Sequence, residues 1–434
     1  MNTYSMNNSS IKVNKVNIRF LSPVVLVFYS VLIFFACLPL LPVEIQYPMS
    51  FDALLFWLLC FVGFLVGVRT GAGREFSMPI QEHRFDPKKL HSMVSVIVWV
   101  GALGVLLLIV DRYFIRGVSL GADVFQNREA LEGSQASGFS AIAAFASSLG
   151  LFSLIVIWIA ETNILIVSKW LKILASLNVF IAVYLSIQLG SRSLLLVVAL
   201  AHLLTWLFIL RARGLRLIFR HKIIAILSIA GLAIISTLMM LSRVDLMGFS
   251  MQESVLNSAY SYTMVPSFEV RESFDDNFEI GEVAAGFFSL VQYIFHGIFE
   301  FGLLFTYFQG EHEWGGRTLW LPLKLIGIFT GGIASGEQAI NVGERYGVYT
   351  TFLGPVFIDF GLLSPLVLIF YGWLLGVPYR ALRQGKIEWI PAVVLIAASS
   401  ILWPVVNILS SASGSYLLVC SLLIGIAGKK IRVS

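Results

Sequence analysis

Arginine is the residue type that stands out where the long apolar runs of this sequence are interrupted. Arg192 ends the short gap "LGSR" between two such runs, and Arg243 follows another run in "LSRVD". A guanidinium binds phosphate through a planar two-pronged contact that an ammonium cannot copy. We therefore expect Arg192 and Arg243 to bind a phosphate or pyrophosphate, with Arg128 and Arg345 as the next candidates. Snorkelling to ordinary lipid headgroups is the alternative for each arginine alone.

A second set of residues could accept a proton from a hydroxyl group or another weak nucleophile. His312 and Glu344 come first, because each lies in a glycine-containing segment with an arginine close in sequence. Asp359, His296 and Glu313 are further candidates for this general base. The alternative for the acids is solvation in a loop or pairing inside a helix bundle.

The sequence lacks the motifs of the common soluble enzymes. It contains no phosphate-binding P-loop, no His-Glu-x-x-His zinc pair, no calcium loop and no nucleophile elbow. Asp275-Asp276 is a weak substitute for the Asp-x-Asp pair that holds a metal against a nucleotide-sugar. We therefore predict no metal site, no cofactor and no nucleic-acid partner.

The composition is that of an integral membrane protein. Of 434 residues 58% are hydrophobic and 13% are charged, whereas roughly a quarter of the residues of a soluble protein are charged. A membrane-spanning helix needs about 20 apolar residues. We predict an all-α polytopic fold with about 10–12 transmembrane helices, based on ten apolar segments: residues 20–41, 52–69, 92–110, 139–160, 173–190, 194–210, 223–242, 352–376, 389–408 and 416–427.

The basic residues predict the orientation of this fold, because Lys and Arg favour cytoplasmic loops. With both termini in the cytoplasm, 21 of the 30 Lys and Arg residues fall on that side, and eight of the remaining nine are arginines. His202 and Asp359 are the ionisable residues that lie inside the predicted spans away from their ends. Ion-coupled carriers usually hold more such groups, so a transporter is disfavoured.

One long loop interrupts the single transmembrane domain of residues 1–434. We predict that residues 243–350 form a large loop on the outer side, and long loops of this kind tend to carry function. Within it, residues 283–308 are apolar, yet Gln292, His296 and Glu300 recur at four-residue steps, which places them on one helix face. We favour an interfacial or re-entrant helix; the alternative is a crossing with a return through residues 318–334.

The layout and three motifs resemble one known family. Gly190-Ser191-Arg192 opens a span, a long outer loop follows, and "YGVYTTFLGPVFIDFGLLSPLVLIFYGWLLG" carries Asp359-Phe360-Gly361 in a late span. In these features the chain resembles the Wzy-type polymerases of O-antigen and related surface polysaccharides.

The resemblance implies a nucleotide-independent glycosyltransferase of the bacterial inner membrane that acts in lipopolysaccharide biosynthesis. Its substrate would be an oligosaccharide repeat unit on undecaprenyl pyrophosphate. Membrane lipids would surround the enzyme, and a chain-length regulator protein would be a further partner. The growing chain would pass from its carrier to the next unit on the periplasmic face. A lipid-linked oligosaccharide ligase and a flippase of the same substrate are the alternatives.

Overall fold

The computed structural model confirms an all-α, multi-pass membrane protein. It describes residues 18–73, 84–119, 126–127, 130–131, 138–162, 165–189, 192–212, 223–224, 226–228, 230–231, 234–238, 244, 250–276, 278–323, 345 and 348–433. Among these residues, nine helical segments are long and apolar enough to cross a membrane. Those segments are Pro23–Leu40, Phe51–Ala72, Pro87–Ile115, Gly138–Thr162, Lys169–Ile187, Ser193–Ala212, Gly281–Tyr307, Gly354–Arg383 and Ala412–Lys430.

Fourteen α-helices of the described residues are numbered here in chain order. They are α1 (Pro23–Cys37), α2 (Phe51–Ala72), α3 (Pro87–Ile109), α4 (Gly138–Leu151), α5 (Ser153–Thr162), α6 (Lys169–Ile187), α7 (Arg192–Ala212), α8 (Met251–Asn257), α9 (Phe268–Asp276), α10 (Phe278–Tyr307), α11 (Gly354–Phe360), α12 (Ser364–Arg383), α13 (Ile390–Ile401) and α14 (Ala412–Lys430). A π-helix, Val110–Ile115, continues α3.

Two short antiparallel sheets mark the two ends of the helix bundle. β2 (Arg84–Phe85), which precedes α3, pairs with β4 (Arg432–Val433), which follows α14, and we name this the terminal end. β1 (Val43–Ile45) follows α1 and pairs with β3 (Met264–Pro266), and we name this the loop end. The segment before α2 and the segment before α9 therefore meet at the same end of the bundle, although more than 200 residues separate them in sequence.

Glycines allow α2 and α12 to pack in close parallel contact. A Cβ atom placed on Gly67 would lie 2.1 Å from the carbonyl oxygen of Ile369, and one on Gly71 would lie 2.1 Å from that of Trp373. Both backbones approach more closely than any side chain permits, as in small-xxx-small helix pairs. This pair fixes α11, which immediately precedes α12, near the loop end.

Two predicted spans are interrupted or shorter in the structure, and a third is described only in part. The span predicted at 352–376 coincides with the long apolar segment Gly354–Arg383, but the chain breaks at Gly361 with a φ of +51° between α11 and α12. Residues 389–408 contain only the twelve-residue helix α13, followed by irregular backbone. The described residues between 223 and 238 are helical, and the rest of the predicted span at 223–242 lies outside the described residues.

Helix α10 contacts α1 and α2 near the loop end. Phe295 stacks on Phe34, near the end of α1, with ring centroids 4.7 Å apart. Ten residues later, the ring of Phe305 packs against that of Phe56, near the start of α2, with centroids 5.1 Å apart. Ten helical residues span about 15 Å, yet both contacts lie within two turns of the same bundle end. The membrane depth of α10 itself stays a prediction.

Candidate functional site

The polar stripe of α10 is buried and hydrogen-bonded. Gln292 and His296 are each 0% exposed. The amide of Gln292 donates to the carbonyl oxygens of Val255 (3.0 Å) and Met264 (2.8 Å), so it ties α8 and β3 to α10. His296 Nε2 accepts the backbone N–H of Tyr349 at 3.2 Å. Because a backbone N–H can only donate, the proton of this neutral ring is on Nδ1, which lies 2.7 Å from the Gln292 carbonyl oxygen.

The last member of the stripe, Glu300, forms a buried ion pair with Arg345. The Arg345 guanidinium donates to the carboxylate at 2.6 Å, and the hydroxyl of Thr263 donates to the same oxygen at 3.1 Å. The other terminal nitrogen of Arg345 donates to the carbonyl oxygen of Ala259 at 2.6 Å. Glu300 is 2% exposed, so its charge depends on this partner. Arg345 thereby joins three segments at the loop end.

A second polar cluster surrounds Asp359, which is 0% exposed. One carboxylate oxygen accepts the backbone N–H of Arg317 at 2.9 Å, and the other accepts the backbone N–H of Thr318 at 2.7 Å and its hydroxyl. The Arg317 guanidinium pairs with Glu313 at 3.0 Å. Asp359 therefore anchors the chain that follows α10 to α11. Its role as a base stays a prediction.

His312 lies in the same cluster, with Nε2 packed beside Gly361. Its Nδ1 is 3.0 Å from the Ile358 carbonyl oxygen, which can only accept, so Nδ1 carries a proton. The imidazole ring stacks on the ring of Phe308, with centroids 5.4 Å apart. A Cβ atom on Gly361 would lie 2.2 Å from Nε2, and φ there is positive, so both conformation and space require glycine. A neutral imidazole with a free lone pair can act as a general base.

The two clusters are neighbours along α10. Glu300 and Phe308 are eight residues apart, and the helical hydrogen bonding continues through Phe308, which gives a separation of about 12 Å. Both clusters lie on the side of α10 that faces the protein. The loop end therefore holds the Glu300–Arg345 pair and His312 about 12 Å apart along α10.

A third group lies where α3 ends. The bundle places this end of α3 towards the loop end, since α3 starts beside β2 at the terminal end. Arg112 donates to the carbonyl oxygen of Leu185 at 2.6 Å, close to the end of α6. The hydroxyl of Tyr113 donates to the side chain of Gln188, in the turn that leads to α7. The π-helix thus holds an arginine beside the turn that ends at Arg192, the first residue of α7.

The predicted site residues fall into separate places. Arg345 belongs to the Glu300 pair, and His312 and Asp359 lie together. Arg192 begins α7, whereas the candidates outside the described residues are Arg128, Arg243 and Glu344.

Sequence reasoning missed three contributors to these groups: Arg112, Arg116 and the role of Glu300 as the partner of Arg345. Arg112 and Arg116 are four residues apart at the end of an apolar run, a spacing that could have singled them out. Arg116 donates to the carbonyl oxygen of Leu131. Within the part of the chain that the structure describes, no three His, Cys, Asp or Glu residues are grouped to hold a metal ion.

Comparison with known proteins identifies no relative. No protein-family model, curated protein or solved structure matches this chain.

Proposed function

We propose that this protein is a glycosyltransferase that polymerises undecaprenyl-pyrophosphate-linked oligosaccharide repeat units at the periplasmic face of the bacterial inner membrane. The observation that carries the proposal is the position of Arg112, which contacts the end of α6 just before the turn to Arg192. Arg112 and the first residue of α7, Arg192, thus both lie near the connection between α6 and α7. A lipid diphosphate needs such donors at the level of the lipid headgroups.

The arginines would act on the leaving group. In the reaction, the acceptor hydroxyl oxygen attacks the anomeric carbon of the growing chain, and the bond from that carbon to the diphosphate oxygen breaks. The bonding electron pair goes to the diphosphate oxygen as the sugar passes through an oxocarbenium-like state. A guanidinium fixed beside that oxygen stabilises the transition state more than the ground state. Arg192 and Arg112 are our candidates for this role, with Arg243 and Arg128.

A base would take the proton of the acceptor hydroxyl as the new bond forms. His312 is our first candidate, because the Ile358 carbonyl oxygen holds its Nδ1–H and so makes Nε2 the nitrogen that would accept the proton. Glu344 remains a candidate from sequence. No nucleotide enters the reaction, since the energy resides in the sugar–diphosphate bond of the donor.

Cytoplasmic termini and a periplasmic loop end complete the proposal. The β2–β4 sheet joins the segment at 84–85 to the C-terminal strand at one end of the bundle. Both segments are rich in Lys and Arg, which supports a cytoplasmic position for the terminal end.

Deletion of the gene tests the function directly. Surface glycan with a single repeat unit is expected for a polymerase, whereas a ligase defect would leave no glycan attached and a flippase defect would trap lipid-linked units inside. In a second test, the purified protein in lipid nanodiscs receives the host's lipid-linked repeat unit. A ladder of polymer on a gel is the expected result, and a single unextended band would contradict the proposal.

A further inference from the structure

Two tyrosines distant in sequence stack on each other at the loop end. The β1–β3 ladder pairs Ile45 with Met264. If this register is continued by two positions, Tyr47 lies opposite Tyr262. The bond from the Gln46 amide to the Thr263 carbonyl oxygen, 2.9 Å, extends the ladder to this point. The two rings are 4.7 Å apart with planes 16° from parallel. The pairing thus results from strand register.

Arg345 completes a stack of three planar groups. Its guanidinium carbon lies 4.2 Å from the ring centroid of Tyr262. Two groups at such distances cannot share one face of a ring, so Tyr262 lies between Tyr47 and Arg345. Arg345 is itself fixed by the buried carboxylate of Glu300 and by the Ala259 carbonyl oxygen. The stack therefore rests on a buried ion pair and has little freedom to move.

The open side of the stack is aromatic and accessible. Tyr47 is 40% exposed and Tyr262 is 48% exposed, and among the described residues no ring covers the face of Tyr47 that points away from Tyr262. The two hydroxyls hydrogen-bond each other, which raises the pKa of Tyr262.

The contacts of these rings differ from those of an interfacial aromatic belt. A belt residue turns its ring to lipid and its polar tip to the headgroups. Here one face of Tyr47 and both faces of Tyr262 are directed at protein groups, one of them charged. A fixed aromatic surface beside a guanidinium and several hydroxyls is instead typical of a ligand site.

We propose that the free face of Tyr47, with the hydroxyl of Tyr262 at its rim, binds a pyranose ring of the acceptor oligosaccharide. A pyranose presents a face of C–H groups, which pack against the negative face of an aromatic ring, and a rim of hydroxyls that donate to and accept from phenol groups. The proposal rests on the proposed function, because it assigns the acceptor subsite of that reaction.

Saccharide binding tests the subsite without the reaction. The probe is the host's repeat-unit oligosaccharide, released from its lipid by mild acid, and binding to the full-length protein in nanodiscs is measured by saturation-transfer NMR and calorimetry. Tyr47→Ala should weaken binding at least tenfold, whereas Tyr47→Phe should keep most of it, because the ring face remains. Tyr29→Ala is the matched control: Tyr29 is 56% exposed and lies on α1 away from the stack.

The variants also separate this inference from the proposed function. Equal binding by wild type and Tyr47→Ala, or an equal loss in Tyr29→Ala, would overturn the subsite. Polymer formation by wild type, with an acceptor KM that Tyr47→Ala leaves unchanged, would also refute the subsite while supporting the polymerase. Tyr47-dependent saccharide binding without any polymer from lipid-linked units would support the subsite and refute the polymerase.

Discussion

The guanidinium of Arg345 lies 2.6 Å from the carboxylate of Glu300, at the centre of the loop end. The carboxylate belongs to α10, and the arginine belongs to the segment that precedes α11. The pair therefore fixes the exit of the long loop against α10. Because the stack of Tyr47 and Tyr262 ends on the same guanidinium, the ion pair also determines the shape of the proposed saccharide subsite.

Removal of Arg345 should destabilise the protein strongly. Arg345→Gln leaves the Glu300 carboxylate, 2% exposed, without a counter-charge, and loss of one partner of a buried pair costs about 3 kcal/mol or more. Thermal unfolding in detergent measures the effect. The double variant Arg345→Gln, Glu300→Gln should recover most of the loss, since no uncompensated charge remains.

The pair of Arg271 and Glu44 is the matched control for this prediction. It lies at the same end with side chains 36% and 42% exposed, and exposed pairs contribute about 0–1 kcal/mol. Arg271→Gln should therefore change the melting temperature little. An equal loss in Arg271→Gln and Arg345→Gln would mean that burial of the Glu300 pair has no special role.

Asp359→Asn should lower stability rather than abolish the reaction. Each oxygen of the carboxylate accepts a hydrogen bond from one backbone N–H. In asparagine an NH2 group replaces one oxygen, so an N–H donor would face a backbone N–H donor. An unsatisfied buried donor costs about 1–3 kcal/mol. Thr318→Val, which removes only the hydroxyl donor, should cost less. A near-normal melting temperature with complete loss of polymerisation would assign Asp359 to catalysis instead.

Close contact of α2 with α12 should make Gly67 intolerant of any side chain. Gly67→Ala would place a methyl group 2.1 Å from the Ile369 carbonyl oxygen, so the helices must separate, and overpacking of this kind costs about 1–3 kcal/mol. Gly138→Ala is the control, because nothing lies within 4 Å of a Cβ atom there. Unfolding temperatures of the two variants that agree within error would contradict the packing argument.

His312→Gln should slow polymerisation and leave the fold intact. The glutamine amide can still donate to the Ile358 carbonyl oxygen, but it cannot accept a proton, and a general base contributes about 100- to 10,000-fold to a rate. His202→Gln is the control, since His202 lies inside α7 and bonds the Val198 carbonyl oxygen. Rates are measured with the lipid-linked unit. An unchanged rate in His312→Gln would exclude His312 as the base.

The apolar runs predicted most of the helices, because a crossing requires length and low charge and both are visible in sequence. The four-residue spacing of Gln292, His296 and Glu300 likewise indicated one helix face, and all three are buried in the structure. The break at Gly361 escaped prediction, since hydropathy is the same on both sides of the positive φ. The early end of α13 was not predicted either, because hydropathy does not change where that helix ends.

The site was harder to predict because its contacts join distant segments. Tyr47 meets Tyr262 through the register of two three-residue strands, and no local pattern indicates that pairing. Arg345 was predicted to bind phosphate, whereas its two terminal nitrogens hold Glu300 and Ala259 in the structure. A loop arginine shows its charge in the sequence but not its partner, which depends on the tertiary fold.

Arg112→Lys should weaken binding of the lipid diphosphate and shorten the polymer while the fold persists. Arg112 donates one N–H to the Leu185 carbonyl oxygen and keeps further donors for a phosphate, whereas a lysine offers a point charge without the planar fork. Loss of one charge-assisted hydrogen bond costs about 1.5–3 kcal/mol, which corresponds to at least tenfold in affinity. Arg192→Lys should act in the same direction.

Binding of undecaprenyl pyrophosphate to the purified protein and polymer length on a gel measure this effect. Arg271→Lys is the matched control, because it changes another loop-end arginine that the exposed Glu44 pairs. The control should bind and polymerise as wild type does. Normal polymer lengths in both Arg112→Lys and Arg192→Lys would refute the phosphate-binding role. The proposed mechanism requires a fixed guanidinium beside the leaving oxygen, and neither variant would then have disturbed it.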